Sequence, residues 1–120
     1  MRTIKFRVWD KLRKEYLKFN MAIAKGGAVF SIFDEYLYDE FTDEVIVEQS
    51  TGLKDGNGTE IYEGDIVESG LEYPRIFVIA WSEGDAAFVA GSQKIFYVAK
   101  RGKILGNIHE NSEFLEAKKQ

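Results

Sequence analysis

The stretch Gln49-Ser50-Thr51-Gly52-Leu53-Lys54-Asp55-Gly56-Asn57-Gly58-Thr59-Glu60-Ile61-Tyr62-Glu63-Gly64-Asp65-Ile66-Val67 decides how this chain is read. Asp55-Gly56 and Asn57-Gly58 are adjacent turn dipeptides. Asn57 tolerates unusual backbone angles, and Gly58 takes φ > 0 without a Cβ clash. They predict a hairpin whose turn closes on a left-handed Gly58, with a bulge. Thr59 to Tyr62 returns as a short strand. Glu63-Gly64-Asp65 reverses the chain again, and the β-branched pair Ile66-Val67 opens a further strand. Asp55, Asn57, Gly58, Gly64 and Asp65 are the residues expected to shape these turns.

Working towards the N-terminus, Glu44 to Gln49 alternates and predicts a strand. Residues 28–44 carry two patterns. Ala28-Val29-Phe30 is β-like, whereas Ile32, Phe33, Tyr36, Leu37 and Phe41 have helical spacing with Ser31 as N-cap, which favours a short helix. A strand through Tyr36-Leu37-Tyr38 competes with it. Ile4, Phe6 and Val8 alternate with Lys5, Arg7 and Trp9; Leu17, Phe19, Met21 and Ile23 alternate with Lys18, Asn20 and Ala22. Joined by the polar Asp10–Lys14, these segments predict a hairpin.

Towards the C-terminus, Ile76 to Trp81 is nearly all apolar and predicts a strand covered on both faces. Ala86 to Ala90, Ile95 to Ala99 and Lys103 to Ile108 complete the series, and Asn111 caps a short helix from Ser112 to about Lys118. Short strands at this density mean a sandwich or barrel. The expected fold is mainly β. Antiparallel N-terminal strands, residues 1–60, pack on a C-terminal SH3-like small barrel, residues 61–120, which ends in a short helix.

The chain has 120 residues, a length that suits one compact unit or two small lobes. With no cysteine, thiolate chemistry and disulfides are excluded. The start lacks the apolar core of a signal peptide, and no apolar run approaches the roughly 20 residues of a membrane span. A cytoplasmic protein without a membrane partner is expected. The net charge of −4 hides an asymmetry. Arg2, Lys5, Arg7, Lys11, Arg13, Lys14 and Lys18 crowd the start, and residues 34–48 hold seven carboxylates and no base. A basic face carrying Lys5 and Arg7, with Trp9 beside it, suits nucleic acid. Pairing with the acidic segment, in the same or a neighbouring subunit, is favoured because the chain as a whole is acidic.

Motifs for catalysis are incomplete. Gly52 to Thr59 resembles a phosphate loop but has Gly58 where the lysine belongs. Asp55, Asn57 and Thr59 match the first calcium-loop positions, but Glu60 and Ile66 stand where Gly and the bidentate Glu are needed. His109-Glu110 begins a zinc-hydrolase helix without a second histidine. No cofactor, metal or enzymatic activity is expected.

The order Thr51-Gly52-Leu53-Lys54-Asp55, Asn57-Gly58 and Glu60 to Val67 closely resembles the signature of the YopX family, small proteins encoded by phages and prophages. Ile4 to Asp10 and Ile104 to Asn111 fit the same family. His109 and Ser112 depart from it, standing where the family tends to carry Tyr and Pro. The resemblance implies an N-terminal β-rich part and an SH3-like barrel, and no particular activity.

The expected function is a non-enzymatic module that binds a host or phage protein and forms a homo-oligomer through residues 1–50, whose strands leave open edges. Nucleic-acid binding is the alternative, and a hydrolase using carboxylates and His109 the weakest reading. Arg2, Lys5, Arg7, Trp9, Trp81 and His109 form the candidate interaction surface. Trp81 is included because it sits where a strand opens into a polar turn.

Overall fold

A computed structural model describes residues 3–33, 36–70, 72, 74–91, 93–95 and 99–116. The strands are β1 Phe6–Asp10, β2 Glu15–Tyr16, β3 Met21–Ile23, β4 Val29–Phe33, β5 Tyr36–Glu40, β6 Val45–Lys54, β7 Glu60–Tyr62, β8 Asp65–Glu68, β9 Ile76–Ser82, β10 Ala87–Ala90, β11 Gln93–Lys94 and β12 Lys103–Asn107. A 3-10 turn at Thr42–Glu44 precedes β6, and the helix α1, Glu113–Glu116, follows β12. The fold is mainly β, as expected. Strands order as β2-β1-β6-β7, β11-β10-β9-β8-β12 and β3-β4-β5. The chain forms two compact units, Met1–Phe6 with Gln49–Gln120, and Arg7–Glu48. The sequence suggested a division at residue 60 instead.

In the larger unit, β8 is central. It pairs antiparallel with β9 (Ile66↔Val78, Val67↔Phe77) and with β12 (Ile104↔Val67, Asn107↔Asp65). Its β-branched residues are therefore fully buried, and Ile61, Val67, Ile79, Ala90, Ile95 and Ala99 make one core. The hairpin forms as predicted: Gly58 has φ +83, its N–H donates to the Asp55 carbonyl at 3.0 Å, and β6 pairs β7 across a register shift. Gly64, at φ +84, makes the second reversal. A Cβ on Gly58 would meet nothing within 4 Å, so only backbone strain opposes a side chain there. Gly58→Ala is expected to cost about 1 kcal/mol. A urea midpoint equal to the parent's would refute the strained assignment.

Two expectations for this unit fail. β9 is not covered on both faces: Ile79 is buried, but Ala80 and Trp81 are exposed. Its apolar run exceeds what its packing requires. Of the strand expected over Ile95 to Ala99, the two described residues are not in a strand: Ile95 lies in a turn after β11, and Ala99 is helical, donating its N–H to the Ile95 carbonyl at 3.0 Å. Residues 96–98 lie outside the described residues. The C-terminal helix appears as α1 with Phe114 and Leu115 half-buried.

The smaller unit is built on Val8, Val29 and Val45, with Leu17, Met21, Ile23, Phe41 and Val47 packed around them. The helix expected after Ser31 is absent. Residues 29–40 form a β4–β5 hairpin with Phe30↔Glu40 and Ile32↔Leu37 in register, and β3 pairs the other side of β4. Tyr36 and Leu37, which would have lain on the helix's buried stripe, are exposed. The competing strand reading through Tyr36–Tyr38 is the one realised.

The single strand expected over Leu17 to Ile23 is also split. β2 ends at Tyr16 beside β1, and β3 joins a different sheet. Alternation in β1 breaks as well, since the consecutive residues Val8 and Trp9 are both buried while Phe6 is exposed. Among the described residues, no helix is long and apolar enough to cross a membrane, which leaves strand-built spans unaddressed.

Candidate interaction surface

The polar residues of the central stretch are occupied with backbone. Asp55 Oδ1 accepts the N–H groups of Asn57 and Thr59 at 2.9 Å each, and Oδ2 accepts that of Ile104 at 2.9 Å. Burial pushes this carboxyl's pKa up. The N–H groups of Ile104, Thr59, Asn57 and Gly58 outweigh that effect and hold it below the ordinary aspartate range. A calcium ion needs oxygen lone pairs, whereas these carboxylate oxygens already face N–H donors.

Asp65 Oδ2 accepts the Tyr62 N–H at 2.8 Å, and Thr51 Oγ1 donates to the Ile61 carbonyl at 2.8 Å. Near the end of the chain, Asn107 Oδ1 accepts from the N–H groups of His109 and Glu110, and Asn111 Oδ1 accepts from the Asn107 N–H. These residues build the frame.

The residues singled out from sequence have diverse fates. Arg2 lies outside the described residues. Lys5 pairs with Glu60 at 3.3 Å. The Glu60 carboxyl is pushed up by burial but held below its ordinary pKa by hydrogen bonds from Tyr62, Lys5 and Ser50. Arg7 Nε meets Glu48 Oε1 at 2.8 Å, the Tyr16 hydroxyl donates to the same oxygen at 2.8 Å, and the guanidinium lies 4.6 Å from the Tyr16 ring centroid. Trp9 is only 6% exposed and packs edge-on against Tyr16 at 4.9 Å, so it offers no face for base stacking. Trp81 is 48% exposed and packs edge-on against Phe88 at 5.1 Å. His109 is half-buried in the turn after β12. Lys5, Trp81 and His109 belong to the larger unit, and Arg7 and Trp9 to the smaller.

The smaller unit holds a different feature, a groove of about 600 Å³. Leu12, Leu17, Phe19 and Phe41 supply its apolar lining. Four carboxylates, Asp10, Asp39, Glu40 and Glu44, stand against one guanidinium, Arg13. Leu12 is 84% exposed and Phe19 48%. The β1–β2 turn forms one side. Asp10 Oδ1 accepts the N–H groups of Leu12 and Arg13 at 2.9 and 3.0 Å, and Lys14 closes the turn at φ +58.

Among the described residues, Lys11, Arg13, Lys14, Asp39, Glu40, Asp43 and Glu44 form no salt bridge. Sequence reasoning saw both charge clusters but treated Asp10–Lys14 as a plain polar turn. The isolated Leu12 between cations was the available signal.

The model of the family described as YopX protein matches residues 5–116, which include the central stretch, the groove and the closing Asn107–Asn111 turn. The chain belongs to the YopX family. The chain is also similar to the crystal structure of protein EF1440 from Enterococcus faecalis, with 28% identity and a TM-score of 0.70. The match covers 96% of this chain and 99% of that one. No curated protein matches.

Proposed function

We propose that this YopX-family chain is a non-enzymatic protein-interaction module of a phage or prophage, acting in the cytoplasm of the bacterial host. Its groove receives a short basic segment carrying a large apolar side chain. The observation that carries this reading is the groove itself, in which Asp39, Glu40 and Glu44, without a salt bridge among the described residues, share the lining with exposed Leu12 and Phe19. Exposed apolar surface rimmed by charge is the usual mark of a protein contact. We read the larger unit as an SH3-like barrel serving as the frame, a reading supported by its five-stranded order β11-β10-β9-β8-β12.

Nucleic acid is disfavoured because Lys5 and Arg7 are engaged with Glu60 and Glu48, and Trp9 is buried. The test is fluorescence anisotropy with labelled Lys/Arg–Leu peptides, an acidic control peptide and single- and double-stranded oligonucleotides. Saturable binding of the basic peptides is expected, weakened at least about tenfold by Asp39→Lys with Glu40→Lys, a loss of roughly 1.4 kcal/mol. Oligonucleotides are expected not to saturate at about 0.15 M salt. Tight oligonucleotide binding there, with a salt slope near −0.9 per phosphate contact and lost on Lys11→Glu with Lys14→Glu, would replace the protein-partner reading.

A further inference from the structure

We propose that the segment entering the groove is the Asp10–Lys14 turn of a second copy of this chain, so that two copies exchange turns around a two-fold axis. The proposal rests on the reading of the groove as a protein-binding surface and names its occupant. The turn has the required chemistry: Leu12 projects at its tip, flanked by Lys11, Arg13 and Lys14, none of which has an ion-pair partner among the described residues. It is held in shape by the two N–H bonds to Asp10 Oδ1 and by the Lys14 N–H bond to the Asp10 carbonyl at 2.9 Å. Little conformational freedom remains to be lost on docking.

The remaining lining offers Asp39 and Glu40 with Phe19 and Phe41, and Glu44 beside the turn, where its carbonyl accepts the Lys11 N–H at 3.0 Å. A foreign basic peptide would satisfy those carboxylates but leave Lys11, Arg13 and Lys14 beside them unmatched. A second copy satisfies both at once. Donor turn and receiving wall border the same groove, which is the arrangement a self-complementary two-fold contact requires. Each Leu12 would then cover the exposed apolar lining of the other copy, and each cationic turn would face the other copy's carboxylates.

The experiment uses the full chain and two charge-reversed variants. One carries Lys11→Glu with Arg13→Glu, and the other Asp39→Lys with Glu40→Lys. Sedimentation velocity of the parent should show a concentration-dependent dimer that weakens as salt rises. Each variant alone should be monomeric, since like charges then face each other. An equimolar mixture should form a heterodimer, because the acidic turn of one meets the basic wall of the other and the reverse contact is the parental one. Recovery in the mixture also shows that both variants are folded.

A parent that is monomeric throughout, variants that dimerise like the parent, a mixture that fails to associate, or a parent that assembles beyond a dimer would each overturn the proposal. Basic-peptide binding by the Lys11→Glu, Arg13→Glu chain separates the two readings. If it persists while the parent does not self-associate, the groove reading stands and the second copy falls; if it is absent too, both fall.

Discussion

Asp55→Ala is expected to remove about 4 kcal/mol of stability, because three backbone N–H groups lose a charged acceptor together. For a domain with a typical 5–15 kcal/mol in total, that is a large fraction. The loss is concentrated because Asp55 ties its own turn to Ile104 on β12, and its residue is only 7% exposed. Asp55→Asn keeps a carbonyl oxygen for the Asn57 and Thr59 donors but turns an amide N–H₂ towards the Ile104 N–H, so its cost should fall between the parent and Ala.

The pH dependence follows in sign. The folded state holds the Asp55 carboxyl below its ordinary pKa, so the stabilisation is complete above the unfolded value, near pH 4, and disappears as pH falls through the folded value. The gap between parent and Asp55→Ala should therefore be widest at neutral pH and shrink on acidification. Chemical denaturation at several pH values measures this. A gap that grows towards low pH would refute the assignment.

Glu48→Ala is the second large effect, expected at about 2–3 kcal/mol. Glu48 is 4% exposed and accepts from both Arg7 and the Tyr16 hydroxyl. Its removal takes a shared charged acceptor from a half-buried guanidinium and a hydroxyl. The value lies below the range for a wholly buried pair because the Arg7 side chain remains 21% accessible and can partly rehydrate. Replacing both partners, Arg7→Met with Glu48→Leu, should recover much of the loss, since the half-buried charge is removed together with its acceptor. A double-mutant cycle by urea unfolding tests this. Additive losses would show that the pair contributes no coupling.

The ease of reading the sequence depended on distance along the chain. The turn dipeptides around Gly58 are local, and the hairpin forms as they predict. The bond from Ile104 to Asp55 spans 49 residues and has no local signal. The helix expected after Ser31 rested on the spacing of Ile32, Phe33, Tyr36, Leu37 and Phe41, which assumes that these residues share a buried stripe. Tyr36 and Leu37 are exposed, and β4 is held by pairing on both sides, so sheet formation overrode the period.

The charge clusters were visible, and one predicted meeting occurs, between Arg7 and Glu48 of the acidic segment. Trp9 was placed on an outward face by simple alternation, but β1 buries two consecutive residues. The groove was not visible because the turn that forms one side, though read as a turn, faces residues from segments 17–23 and 31–41, whose fold was misread.

The chain leaves the larger unit after Phe6 and returns to it at Gln49, and the Ser50 N–H donates to the Lys5 carbonyl at 2.8 Å. Exit and return are thus fastened side by side, and residues 7–48 have the form of a cassette spliced into a host scaffold. Such a cassette can be lengthened, exchanged for another or shortened to a tight connection without re-routing the scaffold around it. Under the proposed function, diversification of what the groove binds is thereby separated from the constraint of remaining folded. The stretches 51–67 and 104–111 lie wholly in the scaffold, whereas Ile4–Asp10 runs from the scaffold into the cassette.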